Sequence, residues 1–506
     1  MAADPASQLI DLVTRARDGD DEAKRAAVGA FDPAAIDDLL HGAADLGGVE
    51  AVATGIGASP GAASGRAYFT ADAAMDAFDR GEMVVLVCLE TSPADEGAMR
   101  VVEGIVTGRG GLASHAAVVA RGWGIPAVCG AETLQFGEDG SVMAGETQLA
   151  EGAEVSLDGG TGEMYLGAAD VAADGPPEEL EELLGWADEV CRGRVMVRAN
   201  ADDGDDAARA REFGARGIGL CRTEHQFLGE RAALVQRFVV DDDDTALDEM
   251  FDHQRADFIE VLEAMDGFPV TVRLLDAPLH EFLHGLTGPA AAKFHEANPM
   301  LGFRGVRLGI LRPALYAMQA RALAEAVKQR IADGGDPQAE IMIPLVGTVA
   351  ELEAATETVL EAWATVLDTP PVVGTMVETP RAALIAGSLA ESAGFLSFGT
   401  NDLTQLTFGY SRDDLEATVI GPYVDKGILP TSPFGSLDID GVGALVVGAV
   451  EASRGVSPDL KIGVCGEHGG DPDSVRFFVN AGLNYVSCSP FRVPAARLAA
   501  AQALLA

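Results

Sequence analysis

The sequence predicts an α/β protein in which a compact β/α domain, about 52–168, precedes a (β/α)8 barrel over 194–506. Two observations carry this prediction. Beyond Val195, short apolar runs alternate with helical patterns, as expected of parallel strands connected by helices. Before that point the strand patterns surround a single well-marked helix. An acidic stretch with Pro176-Pro177 lies between the two regions, and its composition predicts a linker or hinge over 169–193.

The barrel prediction depends on the number of apolar runs. Helical patterns such as 313–331 and 348–366 separate them, and a long gap follows the third run. The eight runs are 195–199, 217–221, 270–275, 341–346, 372–377, 395–399, 462–465 and 484–488.

The first domain is predicted from shorter segments. Strands are expected at 84–87, 104–107, 127–128 and 154–157. Residues 1–51 alternate short helical patterns with acidic stretches and are too few for a nucleotide-binding domain. We therefore interpret them as a short helical segment.

The strongly negative net charge of the chain limits the partners that it can bind. The formal net charge of −44 makes nucleic acid and anionic membranes unsuitable. A lysine-poor acidic surface suits a salty cytoplasm, although codon bias in a GC-rich genome explains it equally well. The chain shows neither a bilayer-length apolar run nor a leader, and its six cysteines are scattered, so the sequence predicts a cytoplasmic protein.

His115 opens the marked helix of the first domain. Gly110-Gly111 supplies a turn, Ser114 is a good N-cap, and Gly124 ends the apolar run. Backbone N–H groups at a helix start favour a bound anion such as phosphate. Taken alone, a Ser-His pair is also compatible with an ordinary buried or exposed histidine.

Reactive side chains follow successive barrel strands. Because chemistry on this fold gathers at the carboxyl ends of the strands, we expect these groups to meet on one rim. Besides Arg304 in the long gap, they are Asn200, Arg222-Thr223-Glu224, Arg273 with Asp276, Glu378, Thr400-Asn401-Asp402 and Cys465-Gly466-Glu467-His468.

Each group also has a purely structural interpretation. Arg222 and Arg273 could form structural ion pairs, Glu378 and Asp402 could be helix caps, and Cys465 could be a small buried residue. Together they fit phosphoryl transfer. Arginines bind phosphate oxygens, two carboxylates hold Mg²⁺, a thiol exchanges a proton with carbon, and His115 is the nucleophile.

Several segments resemble the phosphoenolpyruvate-utilising enzymes, which include pyruvate, phosphate dikinase, phosphoenolpyruvate synthase and Enzyme I of the sugar phosphotransferase system. The resemblance extends from about residue 53 to the end and is strongest to the dikinase branch. Its segments are GGLASHAAVVARGWGIPAVCG (110–130), GLCRTEH (219–225), RLLDAPLHEFL (273–283), NPMLGFRGVRLGI (298–310), GTMVETPRAAL (374–384), SFGTNDLTQLTFGYSRDD (397–414), CGEHGGDP (465–472) and YVSCSPFRVPAARLAAAQA (485–503).

The resemblance implies roles for individual residues. His115 is the phosphohistidine of a swivelling domain, and Cys465 protonates the enolate of pyruvate. Glu378 and Asp402 bind Mg²⁺. The implied contacts to phosphoenolpyruvate are Arg222, Arg273, Arg304, Thr400, Asn401, Asp402 and Arg412.

Three departures accompany the resemblance. The chain has no room for the ATP-grasp domain of the dikinases, so a separate nucleotide-binding protein is the expected ATP-side partner. Ala113 stands where the family usually has threonine, and Phe303 replaces a usual histidine. The family also suggests a homodimer through the barrel.

Two other functions stay open. One is a phosphorelay donor like Enzyme I. The short stretch at about 70–83 argues against it, because it leaves no place for a carrier-binding subdomain. The other is a non-catalytic subunit that senses phosphoenolpyruvate, against which the complete set of site residues argues.

Overall fold

The computed structural model describes residues 5–40, 44–45, 51–92, 95–111, 114–137, 140–145, 147–171, 176–227, 229–276, 282, 296 and 298–506. The chain divides into two compact units. The first consists of Met1–Val190 with Ser411–Gly435, and the second of Cys191–Tyr410 with Ser436–Leu504.

An eight-stranded sheet forms the centre of the first unit. Four neighbouring strands, Ala62–Tyr68, Val84–Cys88, Gly104–Thr107 and Ala127–Cys129, are parallel, and antiparallel strands flank them. The predicted strands of this domain are confirmed. Across the sheet the order is Ala53–Thr54, Glu163–Leu166, Glu154–Asp158, Ala62–Tyr68, Val84–Cys88, Gly104–Thr107, Ala127–Cys129 and Ile56–Ser59.

Both faces of this sheet are covered, which is why its central strands are continuous apolar runs. The helices Ala71–Asp79 and His115–Trp123 pack on one face through small alanine side chains. The other face packs against a small antiparallel sheet that the sequence did not predict. Its strands are Leu134–Phe136, Val142–Ala144 and Thr147–Leu149.

The remaining elements of the first unit are mostly helices. Among the described residues 5–40 there are three helices, whereas residues 1–4, 41–43 and 46–50 of the predicted helical segment lie outside the described part. A two-residue strand pair joins Ala44–Asp45 to Asp170–Val171. A helix over Glu178–Cys191 buries Leu180, Leu183 and Leu184. The other helices are Pro5–Arg17, Asp21–Ala30, Ala35–Leu40, Glu96–Met99, Arg412–Leu415, Glu416–Ile420 and Gly421–Asp425.

The second unit is a closed barrel of eight parallel strands in chain order, which confirms the (β/α)8 prediction. The fourth strand begins at Gln338, earlier than the predicted 341. The strands are Met196–Asn200, Ile218–Arg222, Pro269–Arg273, Gln338–Ile343, Val372–Val377, Phe395–Phe398, Lys461–Val464 and Tyr485–Cys488.

Helices surround the barrel, and the two predicted at 313–331 and 348–366 are confirmed as Pro313–Ala332 and Val349–Ala364. The others are Gly204–Glu212, Ala232–Val240, Ala246–Ala264, Gly305–Leu311, Pro380–Leu384, Ala386–Leu389, Thr400–Phe408, Ala444–Val456, Pro472–Asn480 and Val493–Leu505, with single helical turns at His225–Phe227, Gly229–Arg231, Pro299–Leu301, Ile439–Gly443, Glu467–Gly470 and Pro490–Arg492.

Side chains fill the barrel interior and make the rim a rigid platform. Leu220, Met342, Met376 and Phe395 pack there with Cys465. Polar side chains also lie inside: Arg198, only 1% exposed, pairs with Glu340 at 3.1 Å and lies 4.3 Å from the ring centre of Tyr485.

Within the described part of the chain, no helix is both long enough and apolar enough to cross a bilayer.

Candidate active site

The carboxyl ends of the barrel strands bring the predicted rim residues together. Arg222 and Arg273 are the last residues of the second and third strands, and Glu378 directly follows the fifth. Thr400 is the first residue of the helix after the sixth strand, and Asn401 and Asp402 follow it in that helix. Cys465 follows the seventh strand. Because parallel strands end on one face, these side chains share one rim.

Arg304 belongs to the same site although it lies far along the chain from the third strand. Its guanidinium donates to Asp276 at 2.8 and 3.1 Å and to Asp402 at 3.2 Å. Arg304 is 4% exposed, and it immediately precedes the helix Gly305–Leu311. Within the long gap, residues 277–281, 283–295 and 297 lie outside the described part of the chain.

Three carboxylates converge beside this arginine. Asp276, Glu378 and Asp402 each place an oxygen within 4.8 Å of the other two. Burial, with Asp276 and Asp402 close by, raises the pKa of Glu378 to about 8. From the sequence we predicted Glu378 and Asp402 as metal ligands and expected Asp276 on the same rim beside Arg273, with an ion pair to Arg273 as its structural interpretation.

Backbone geometry fixes the position of Glu378. Leu345 adopts φ 56°, and its N–H donates to Glu378 Oε1 at 2.5 Å. This left-handed conformation is costly for leucine, and such strain persists where the surroundings enforce it. Gly305, at φ 55°, lies against both loops: an added Cβ would be 2.6 Å from Asp276 Oδ1 and 2.8 Å from Leu345 Cβ.

Arg273 connects the cluster to the second strand. It donates to Glu224 and lies 3.3 Å from Asp276. Burial disfavours its charged form, but the carboxylates of Glu224 and Asp276 outweigh that penalty and keep the guanidinium protonated. Arg273 therefore contributes fixed positive charge at the rim.

The thiol of Cys465 lies inside the rim, 1% exposed. The hydroxyl of Ser397 donates to its sulfur at 3.3 Å, and the Asn200 amide donates to its carbonyl oxygen at 3.1 Å. Burial raises the thiol pKa to about 11, so the thiol is protonated at neutral pH. Such a group is suited to donating a proton.

Thr400 and Asn401 are held by the loop after Cys465. The Thr400 hydroxyl is 2.8 Å from His468 Nδ1, and the Glu467 N–H donates to Asn401 Oδ1 at 3.0 Å. These contacts join the sixth and seventh loops and fix the helix start that carries Asp402.

Buried glutamines support the second and third loops, and sequence analysis did not identify them. The Gln319 side chain donates to Thr223 Oγ1 at 3.0 Å and accepts from the Leu275 N–H at 3.0 Å. Gln319 also donates to Gln254, which donates to Gln226. The network ties outer helices to the loops that carry Arg222 and Asp276.

His115 lies where the sequence predicted, as the first residue of the helix His115–Trp123. Ser114 accepts from the Ala117 N–H at 3.4 Å, and Gly124 ends the helix in the left-handed conformation. The Thr91 hydroxyl is 3.0 Å from His115 Nδ1, which sets the ring orientation. Ala113 lies outside the described residues.

Arg412, predicted to contact substrate, lies in the segment that groups with the first unit, where it is 5.9 Å from the ring centre of Phe434. Its role stays a prediction. Phe303, the departure before Arg304, donates its N–H to Glu296.

The fold and rim define a class of (β/α)8 barrel proteins with arginines beside an acidic cluster and a buried thiol. Residues 178–505 match the PEP-binding domain of the PEP-utilising enzymes, and residues 81–162 match their mobile domain. The chain belongs to the PEP-utilising enzyme family.

Curated relatives agree with this assignment. Pyruvate, phosphate dikinase 1, chloroplastic, of Arabidopsis thaliana is 47% identical over 516 residues, which cover 96% of this chain and 53% of the relative. Pyruvate, phosphate dikinase of Rhizobium meliloti (strain 1021) is 46% identical, covering 95% and 57%. The chain thus spans about half the length of the relatives it matches.

Proposed function

We propose that this protein is a Mg²⁺-dependent phosphotransferase that exchanges a phosphoryl group between phosphoenolpyruvate and His115, releasing or consuming pyruvate. It would be the phosphoenolpyruvate side of a reaction like that of pyruvate, phosphate dikinase. The observation that carries the proposal is the joint placement of Arg273, Arg304 and three carboxylates beside the Cys465 thiol.

The acidic cluster fits a divalent cation. Asp276, Glu378 and Asp402 offer the oxygen ligands that Mg²⁺ prefers. Burial and the two neighbouring aspartates raise the pKa of Glu378, and a cation held there would favour its charged form. Glu378 and Asp402 would hold the metal, with Asp276 beside them. When bound, the metal would stabilise negative charge on the substrate oxygens.

The arginines would bind and orient the phosphate. Arg222, Arg273 and Arg304 would clamp its oxygens, with Thr400, Asn401, Asp402 and Arg412 completing the site. Fixed guanidinium groups need no reorganisation as charge develops, which is the main route to stabilising a phosphoryl-transfer transition state.

The proton step belongs to Cys465. When the phosphorus–oxygen bond of phosphoenolpyruvate breaks and a phosphorus–nitrogen bond forms on His115, the enolate of pyruvate is left. The Cys465 thiol then gives its proton to the methylene carbon, producing pyruvate and a thiolate. In reverse, the thiolate would remove a methyl proton from pyruvate.

Domain roles and partners form part of the same proposal. Residues 52–168 would be the phosphohistidine domain, 169–193 the hinge about which it swivels, and 194–506 the substrate-binding barrel. We propose a cytoplasmic homodimer formed through the barrel. A separate ATP-grasp protein would supply the nucleotide half-reaction.

Pyruvate release tests this function. Mixed with excess phosphoenolpyruvate and Mg²⁺, the protein should release about one pyruvate per chain in a single burst, because His115 accepts one phosphoryl group. Arg304→Gln should abolish the burst. Arg312→Gln is the matched control, since Arg312 contacts Asp242 and the Phe238 carbonyl instead of the acidic cluster. Absence of a burst in the unaltered protein contradicts the proposal.

A further inference from the structure

An aspartate–histidine pair lies beside Arg222 at the barrel rim, and none of the roles above uses it. Asp202 follows the first barrel strand, whereas Arg222 and His225 follow the second. His225 Nδ1 donates to Asp202 Oδ2 at 2.8 Å. The Arg222 N–H donates to the other oxygen of the same carboxylate, Asp202 Oδ1, at 2.6 Å.

Asp202 holds the Arg222 loop at three points. Besides those two contacts, its carbonyl oxygen accepts from the Gln226 amide at 3.2 Å. Phe227, fully buried, anchors the same helical turn. The position of Arg222 therefore depends on the contacts that Asp202 makes.

The guanidinium of Arg222 competes for the same carboxylate. Its Nη1 lies 3.9 Å from Asp202 Oδ2, the oxygen that His225 contacts, and the Arg222 side chain is 21% exposed. A protonated His225 neutralises part of the Asp202 charge, which leaves the Arg222 guanidinium more available to an external anion. A neutral His225 leaves Asp202 fully negative and drawing Arg222 toward itself.

We propose that His225 is a positioning residue: through Asp202 it controls how strongly Arg222 binds the phosphate of phosphoenolpyruvate, and binding weakens when His225 loses its proton. This inference rests on the proposed function. It assigns to His225 a role in substrate affinity and none in the chemical step.

The surrounding charges support this behaviour. Charged groups packed around the His225 turn are Asp202, Arg222, Glu224 and the mutually neutralising pair Arg231–Asp257, 2.6 Å apart. The His225 side chain is 40% exposed. Partial desolvation opposes its charged form, but Asp202 outweighs this effect and raises the histidine pKa above its usual value. His225 and Arg222 together keep the pKa of Asp202 down at about 2 despite its burial, so Asp202 remains an anion.

The experiment compares His225 with an untitratable replacement. His225→Asn places an amide nitrogen near the position of Nδ1, so the contact with Asp202 is retained while titration is lost. Binding of phosphoenolpyruvate with Mg²⁺ is measured by calorimetry between pH 6 and 9. All proteins carry His115→Ala so that no phosphoryl group is transferred. His253→Asn, at an exposed histidine on the helix Ala246–Ala264, is the matched control.

The ratio of dissociation constants isolates His225, because the titration of phosphoenolpyruvate itself affects every protein equally. Between pH 6 and 9, we expect the dissociation constant of the protein that keeps His225 to rise about fivefold relative to that of His225→Asn. The ratio of the dissociation constants of the same protein and His253→Asn should not change with pH. A flat ratio for His225→Asn overturns this inference alone. Absence of binding in every protein overturns the proposed function and the inference together.

Discussion

Arg304 Nη2 lies 2.8 Å from Asp276 Oδ2, although 28 residues of chain separate the two. The pair is almost entirely buried, with 4% of the arginine side chain exposed and none of the aspartate. Removing one member of such a pair leaves an uncompensated buried charge, which is strongly destabilising. This contact joins the arginine side of the site to its acidic side.

Asp276→Asn tests whether Asp276 contributes to metal binding by the acidic cluster. The amide keeps the shape of the side chain but removes one negative charge from the cluster with Glu378 and Asp402. We expect the Mg²⁺ concentration needed for half-maximal pyruvate release to rise about 10–100-fold. Asp333→Asn, at an exposed residue that accepts from Gln329, is the control. An unchanged Mg²⁺ requirement would exclude Asp276 from the metal environment.

Cys465→Ala separates the two chemical steps. Transfer of phosphate to His115 should continue, whereas exchange of the methyl protons of pyruvate with solvent, followed by NMR, should stop. Because the thiol pKa is about 11 and proton removal needs the thiolate, exchange in the Cys465 protein should speed up as pH rises toward that value. Equal loss of both steps would show that the thiol is misassigned, and Cys488→Ala at another buried cysteine controls for packing.

Gly305→Ala tests how closely the loops must approach. The new methyl group would contact Asp276 and Leu345 in addition to straining a backbone at φ 55°. We expect a loss of about 2–4 kcal/mol in the free energy of unfolding, together with weaker phosphoenolpyruvate binding. Gly334→Ala shares the positive φ but has open space around it, so it should cost only about 1–2 kcal/mol and leave binding unchanged. Equal effects of the two substitutions would contradict the contact.

Ionic strength tests the influence of net charge. Phosphoenolpyruvate is an anion that approaches a protein of charge −44, so added salt should first raise kcat/KM by screening the repulsion. The measurement is the initial rate of pyruvate release at low substrate over increasing KCl. A steep fall from the lowest salt onward would show that local positive charge at the rim dominates the approach.

The barrel could be predicted from the sequence because each of its strands is recognisable within a few consecutive residues. Each strand is a short apolar run, and each of the eight runs corresponds to one strand of the closed barrel. His115 was similarly accessible, since a glycine turn, a serine cap and a terminal glycine define its helix within a few residues. Patterns of this kind need no knowledge of distant contacts.

Features that depend on distant contacts were missed. Asp276 was expected on the rim but not as a member of the metal cluster, because only folding brings its carboxylate within 4.8 Å of those of Glu378 and Asp402. The contact between the Leu345 N–H and Glu378 depends on a backbone angle that no sequence pattern specifies. Gln319 and Gln254 look like ordinary polar helix positions until packing buries them completely. The position of Asp276 shortly after the third strand was the available signal.

Labelling of His115 by phosphoenolpyruvate shows directly whether this chain accepts the phosphoryl group. The protein is mixed with phosphoenolpyruvate carrying ³²P and with Mg²⁺, and the bound phosphate is examined for acid lability and base stability. The account predicts acid-labile, base-stable label on the unaltered protein, none on His115→Ala, and pyruvate in equal amount. Phosphoenolpyruvate that binds without labelling the chain would contradict the account and favour a sensing subunit.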